Sequence, residues 1–227
     1  MAASHIQAVI FDLDGVITDT AEYHYLAWKK LADELNIPFN RNFNEALKGV
    51  SRMDSLKKII SRAQPALSFS EDELNRLADR KNEYYKEYIQ QITPDDLLPG
   101  ITDLMEEIKQ KGIKIGLASA SKNAMVVLEK LGITSFFDGI VDAATIEHGK
   151  PDPEIFLAAA RQLHAESASC VGIEDAEAGI QAIKAAGMFA VGIGTADKMK
   201  EADLRVEGTQ KLSFIKIESA YLLKNKE

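Results

Sequence analysis

Four runs of branched apolar residues punctuate the chain: residues 6–11 (IQAVIF), 113–118 (IKIGLA), 169–173 (SCVGI) and 188–193 (MFAVGI). Their apolar positions are close to continuous rather than alternating, and the first runs into the polar turn Asp-Leu-Asp-Gly. That pattern predicts strands buried on both faces. Residues 140–141 and 204–206 repeat it more weakly. Helical spacing of apolar positions fills residues 101–110, 123–131, 153–163 and 176–186. Strands and helices in alternation predict a parallel sheet with helices on both faces, which gathers ligands at the carboxyl ends of its strands. Residues 20–91 break the alternation. They carry helical spacing at 21–35, 51–60 and 71–89, punctuated by Pro38, Gly49 and Pro65, with no strand pattern. Thr93-Pro94 and Pro99-Gly100 mark the return. The expected fold is an α/β, doubly wound parallel sheet with an inserted helical bundle. The core would span 1–17 and 93–227, the inserted domain 18–92.

Composition narrows the function classes. The 227 residues suffice for a full core without disulfides or metals. At 46% hydrophobic and 27% charged the chain reads as an ordinary soluble protein. A net charge of −8 and a pI near 5.2 disfavour nucleic acid as a partner. A small phosphorylated ligand needs only a local cluster of Lys and Arg. Cys170 is the one cysteine, so no internal disulfide forms, which fits a reducing compartment. No Lys or Arg precedes the first apolar run, which Asp12 closes, so no signal peptide is expected. Lys184 interrupts the best apolar stretch well short of the ~18 residues of a membrane span. A cytoplasmic monomer, with neither membrane nor nucleic acid as partner, is expected.

Candidate chemistry gathers where the strands end. Asp12 and Asp14 follow the first strand one residue apart, so extended chain points both to one side at the sheet's carboxyl edge. By itself Asp-x-Asp-Gly also reads as a turn. Glu174-Asp175 closes a second strand, where Asp175 alone would read as a helix N-cap. Two acidic pairs on parallel strands can converge on one oxygen-loving ion, for which Mg²⁺ is suited. Ser119 ends another strand in a Ser-Ala-Ser-Lys-Asn turn, whose hydroxyl and free amides could hold an anion. Lys150, a surface lysine if taken alone, lies in Gly-Lys-Pro-Asp-Pro before a helix. Carboxylates, hydroxyl and fixed positive charge together suit phosphoryl transfer.

Asp12-x-Asp14, Ser119, Lys150 and Glu174-Asp175, in this order on strand ends, resemble the four motifs of the haloacid dehalogenase superfamily. The helical insertion resembles the cap of one of its subclasses. The segments DLDGVITDTAEYH, LKGVSR, RKN, ASASKN, GKPDP and GIEDAEAGIQAIK are similar to its hexose-phosphate mutases. The resemblance runs from Ala8 to about Gly194 and implies a Rossmann-like core. It implies Asp12 as nucleophile and Asp14 as general acid and base. It implies Mg²⁺ held by Asp12, the Asp14 carbonyl, Glu174 and Asp175, with the phosphoryl group gripped by Ser119 and Lys150. The implied reaction interconverts β-D-glucose 1-phosphate and glucose 6-phosphate through phospho-Asp12, with glucose 1,6-bisphosphate as activating intermediate.

The insertion would choose the substrate. Arg52 offers a planar fork for a phosphate, or else lies on a helix surface. Lys48, Gly49, Val50, Ser51 and Ser55 surround it in sequence, and the resemblance places them at the substrate with Ala120, Ser121, Lys122 and Asn123. Thr20 and His24 share one helix face, and the resemblance brings His24 near Asp14. Trp28 continues that face as core residue or sugar contact. Lys81 reads from sequence alone as part of a solvated face, and only the RKN match marks it for the substrate. Tyr84, Tyr85 and Tyr88 read as packing, and His148 and His164 have no evident partner. Hinges near residues 16–20 and 93–99 would let the cap open and close. A sugar-phosphate phosphatase of the same superfamily is the nearest alternative. A phospho-acceptor signalling domain is disfavoured by the insertion and by Asp14, and a binding module by the full charged set.

Overall fold

Chain order in the computed structural model, which describes residues 6–47 and 50–225, begins with β1 (Ala8–Phe11). Four helices follow: α1 (Ala21–Glu34), α2 (Arg41–Glu45), α3 (Arg52–Ile60) and α4 (Glu71–Tyr88). Then come α5 (Ile101–Gln110), β2 (Lys114–Leu117), α6 (Ala124–Leu131), β3 (Gly139–Ile140) and α7 (Glu154–Gln162). The chain continues with β4 (Cys170–Glu174), α8 (Glu177–Ala185), β5 (Phe189–Ile193), β6 (Leu204–Val206) and α9 (Phe214–Lys224).

The six strands form one sheet in the order β3-β2-β1-β4-β5-β6, parallel throughout. Every residue of β1, β4 and β5 is buried, which is why these strands are apolar without alternation. On one face, α7 and α8 set Ile155, Phe156, Ala159, Ile180 and Ile183 against Ala8, Ile10, Cys170 and Ala190. Elsewhere α5 packs on β2 and α9, burying Ile101, Leu104, Met105 and Ile108. The strand order reverses direction beside β1, so a crevice opens at its carboxyl end. Phe11 is level with Leu117 on one side and Ile173 on the other. The residues that follow therefore leave the sheet side by side.

Two elements escape the sequence pattern. The five-residue α2 is shorter than a helical period can reveal, and is fixed by Asn40, whose side chain accepts from Phe43 N at 2.9 Å. In α9 only Phe214, Ile217 and Tyr221 are buried, while Ile215 and Leu223 face outward and blur the stripe. Tertiary contacts hold α9 instead. Phe214 N donates to Glu107 at 2.7 Å, and Tyr221 Oη to the Ala168 carbonyl at 2.9 Å. Lys224 and Lys184 both reach Asp203, at 2.6 and 2.7 Å.

The chain divides into two compact units, Met1–Asp19 with Thr93–Glu227 and Thr20–Ile92. The sheet unit runs on to Asp19, past the division expected at residue 17. Thr18 Oγ1 donates to the Asp96 carbonyl at 2.8 Å, and Leu98 N to Ile17 O at 2.9 Å. The helical unit has its own apolar core, including Trp28, Leu31, Ile37, Leu56, Ile59 and Leu77. Its longest helix, α4, opens with a capping box in which Ser70 and Glu73 each bond the other's backbone. No helix among the described residues is long and apolar enough to cross a membrane.

Candidate active site

Asp12 is the first residue past β1, Glu174 the last of β4 and Asp175 its neighbour. The strand register brings them together: each offers a carboxylate oxygen, and these atoms lie within 4.8 Å of one another. Asp12 and Glu174 are buried, Asp175 half-buried. Lys150 Nζ donates to Asp12 Oδ1 at 2.5 Å and to Glu174 Oε2 at 2.6 Å, on a side chain only 4% exposed. The other Glu174 oxygen accepts from the amides of Asp175 and Ala176, at 3.3 and 3.1 Å, just ahead of α8.

Two glycines make room for the acids. A Cβ on Gly179 would lie 2.0 Å from Glu174 Cδ, and one on Gly15 2.1 Å from Asp175 Oδ2. Gly15 also sits at φ +73°, in the left-handed region, where the chain turns after Asp14.

The cluster sets three carboxylates against one ammonium. Lys150 keeps its proton firmly: two adjacent carboxylates outweigh the cost of burial and raise its pKa. Burial, with the Asp12 charge beside it, pushes the Glu174 carboxyl well above the ordinary carboxylate range, although Lys150 pulls the other way. Removing either partner of such a pair would strand a buried charge. A surplus of negative charge on an all-carboxylate donor set fits a hard divalent cation.

Asp14 is half-buried in the turn after Asp12, which a backbone bridge to Thr18 closes. Ser119 is 2% exposed and its Oγ accepts from Ser121 N at 3.1 Å. Ser121 Oγ accepts from Asn123 N at 3.3 Å, and α6 begins at Ala124, one residue past the start expected at 123. Along that turn Ala120 and Lys122 are exposed, Ser121 is half-buried and Asn123 buried.

In the helical unit, Lys81 overturns its solvated reading: it is 2% exposed. Its Nζ lies 2.8 Å from His24 Nδ1 and 4.8 Å from the centres of the Trp28 and Tyr85 rings, so aromatic faces replace water around the charge. An ammonium has only protons to give, so Nδ1 is the bare nitrogen and Nε2 carries the hydrogen. Burial, then the charges of Lys81 and Arg52, hold the His24 pKa well below its usual value, so the ring stays neutral. His24 stacks on Tyr85, whose hydroxyl donates to Thr20 Oγ1 at 3.2 Å, a polar role that the packing assignment of Tyr85 missed. Trp28 belongs to the apolar core.

Arg52 is half-buried and, among the described residues, makes no hydrogen bond or ion pair. Burial lowers its pKa against the opposing charges of Asp79 and Glu83. Ser51 is occupied as the cap of α3, exchanging bonds with Asp54, while Val50 is half-buried and Ser55 buried. Lys48 and Gly49 lie outside the described residues. His148 does have a partner, Glu154, and the Glu of Asp-Pro-Glu beginning α7 was the signal available in the sequence.

A model of the haloacid dehalogenase-like hydrolase family matches residues 6–187. Over 209 residues, 92% of each chain, the sequence is 53% identical to the β-phosphoglucomutase of Bacillus subtilis (strain 168). It is 30% identical to a phosphorylated carbohydrates phosphatase of Thermotoga maritima, over 81% of this chain and 82% of that one. A crystal structure of β-phosphoglucomutase from Clostridium difficile aligns with a TM-score of 0.94 at 50% identity, covering 98% of this chain and 100% of that chain.

Proposed function

The chain belongs to the haloacid dehalogenase-like hydrolase family, and from that premise we propose that it interconverts β-D-glucose 1-phosphate and glucose 6-phosphate. The activity follows the 53% identical relative that spans almost the whole chain. One structural observation favours it over hydrolysis: the half-buried Arg52 of the helical unit, which makes no hydrogen bond or ion pair among the described residues. A mutase working through a bisphosphate must hold two phosphates at once, and a phosphatase only one. Arg52 supplies a desolvated cation for the phosphate that is not reacting.

The family implies a metal ion, and Mg²⁺ suits the donors. Asp12, the Asp14 carbonyl, Glu174 and Asp175 would hold it, and it would supply positive charge to the phosphoryl oxygens. In the forward direction the 6-hydroxyl of glucose 1-phosphate loses its proton to Asp14 and attacks the phosphorus of phospho-Asp12. The bond from phosphorus to Asp12 breaks, leaving β-glucose 1,6-bisphosphate. After the sugar turns over, Asp12 attacks the phosphorus at C1. Asp14 returns its proton to the departing sugar oxygen, and glucose 6-phosphate leaves. Lys150 and Ser119 hold the phosphoryl oxygens during both transfers. The helical unit serves as the substrate-choosing cap, with His24, Thr20, Lys81 and Arg52 as its candidate substrate contacts.

Phosphorus NMR of the protein with Mg²⁺, β-glucose 1-phosphate and a catalytic amount of bisphosphate tests the reading. Glucose 6-phosphate should accumulate with little free phosphate. Inorganic phosphate as the main product would establish the phosphatase that the Thermotoga relative exemplifies.

A further inference from the structure

Lys150 reaches Asp12 and Glu174 from an irregular loop, and Glu154 gathers that loop's backbone. Glu147 N donates to Glu154 Oε1 at 2.9 Å and His148 N to Oε2 at 2.8 Å, with His148 Nδ1 a further 3.1 Å from Oε2. Beyond Lys150 the chain turns back: Asp152 N donates to Gly149 O at 3.1 Å, and Glu154 N to Asp152 Oδ1 at 2.9 Å. Two clamped amides thus precede Lys150 and a capped turn follows it.

We propose that Glu154 is a positioning residue for Lys150, its two carboxylate oxygens fixing the loop from which the ammonium reaches the site. The inference rests on Lys150 as the cation that holds the transferring phosphoryl group. Both oxygens are needed. A carboxylate accepts twice and donates nothing, whereas the carboxamide of Gln accepts on one atom and turns N–H toward the second amide. The same two amides hold the Glu154 carboxyl below the usual carboxylate range. A lysine has a long, many-rotamer side chain, so its ammonium is placed only as well as its backbone is. The competing role is electrostatic: a carboxylate at the first turn of α7 also favours the helix dipole.

Glu154→Gln and Glu154→Asp, each made in the native chain and in Lys150→Ala, separate the two. The readouts are the rate of phospho-Asp12 formation from acetyl phosphate with Mg²⁺, followed by intact mass, and the thermal midpoint of each variant. In the native chain Glu154→Gln should slow phosphorylation about tenfold, the usual weight of one charge-assisted hydrogen bond. Glu154→Asp keeps the charge but falls one carbon short of the amides, and should lose as much. With Lys150 already removed, both substitutions should change the rate less than about twofold, because their effect passes through Lys150. Equal losses in both backgrounds, or a native rate for Glu154→Asp, would overturn the proposal. A native rate for Lys150→Ala alone would instead overturn the reading of Lys150.

Discussion

Arg52 is the residue on which the choice between the two sugar-phosphate activities turns. A half-buried guanidinium that makes no ion pair among the described residues is poised for a dianion arriving with the substrate. Arg52→Ala should therefore remove a contact worth ~1.5–3 kcal/mol, a loss of roughly 10–150-fold in use of glucose bisphosphate. Acetyl phosphate carries no second phosphate, so its transfer to Asp12 should be nearly unchanged. Both rates would be read on the same samples. Equal losses with the two donors would place Arg52 at the transfer centre or in the fold. At this scale the acidic pairs and Ser119 were legible because strand ends fix where they lie, and strand ends show as apolar runs, whereas Lys150 reaches the site from a loop and only the resemblance marked it. Lys81 was not legible, since its burial is completed by His24 and Trp28, brought to it from α1, beside Tyr85 one turn along its own helix. The part Glu154 plays in the loop before Lys150 was hidden for a related reason: beyond His148, its partners are the backbone amides of residues 147 and 148, which no sequence pattern marks.

At the scale of elements, the start of α8 shows a local preference yielding to the site. Alanine is favoured over glycine inside a helix by roughly 0.5–1 kcal/mol. Gly179 nevertheless stands there, in the space that the Glu174 side chain fills. Gly179→Ala should weaken Mg²⁺ binding in the same direction as Glu174→Ala, measured by titration calorimetry, while leaving the secondary structure intact. Unaltered affinity would mean that the Glu174 carboxylate finds another position without cost. The strands and most helices were readable because one layer of apolar residues must face another. The helix α9 was not, because its hold on the sheet unit comes from Glu107, Ala168 and Asp203, all distant in sequence.

The whole molecule carries a net charge of −8, yet the proposed chemistry asks it to bind dianions. The opposing positive charge is local, supplied by Lys150, Arg52 and the metal. Removing Mg²⁺ with excess chelator should therefore stop turnover while leaving the thermal transition of a folded protein, and restoring Mg²⁺ should restore the rate. Full turnover in chelator would contradict the metal reading. The division of labour between sheet and insertion was visible in the sequence as a change of hydrophobic period. The spatial order of the strands was not, because it depends on crossovers whose direction only the packed chain reveals.

That order has a consequence for how the protein is made. β1 carries Asp12 at its end and is the innermost partner of both β2 and β4. A ribosome delivers it with the entire helical unit still to come before β2, and with β4 later again. Until then Ala-Val-Ile-Phe is an apolar strand with both edges open, the kind of segment that pairs with other chains. The helical unit is one contiguous stretch with an apolar core of its own and can close once α4 has emerged, whereas the sheet must wait for more distant partners. The strand that bears the proposed nucleophile is thus synthesised before either of its partners and is enclosed only once both have followed.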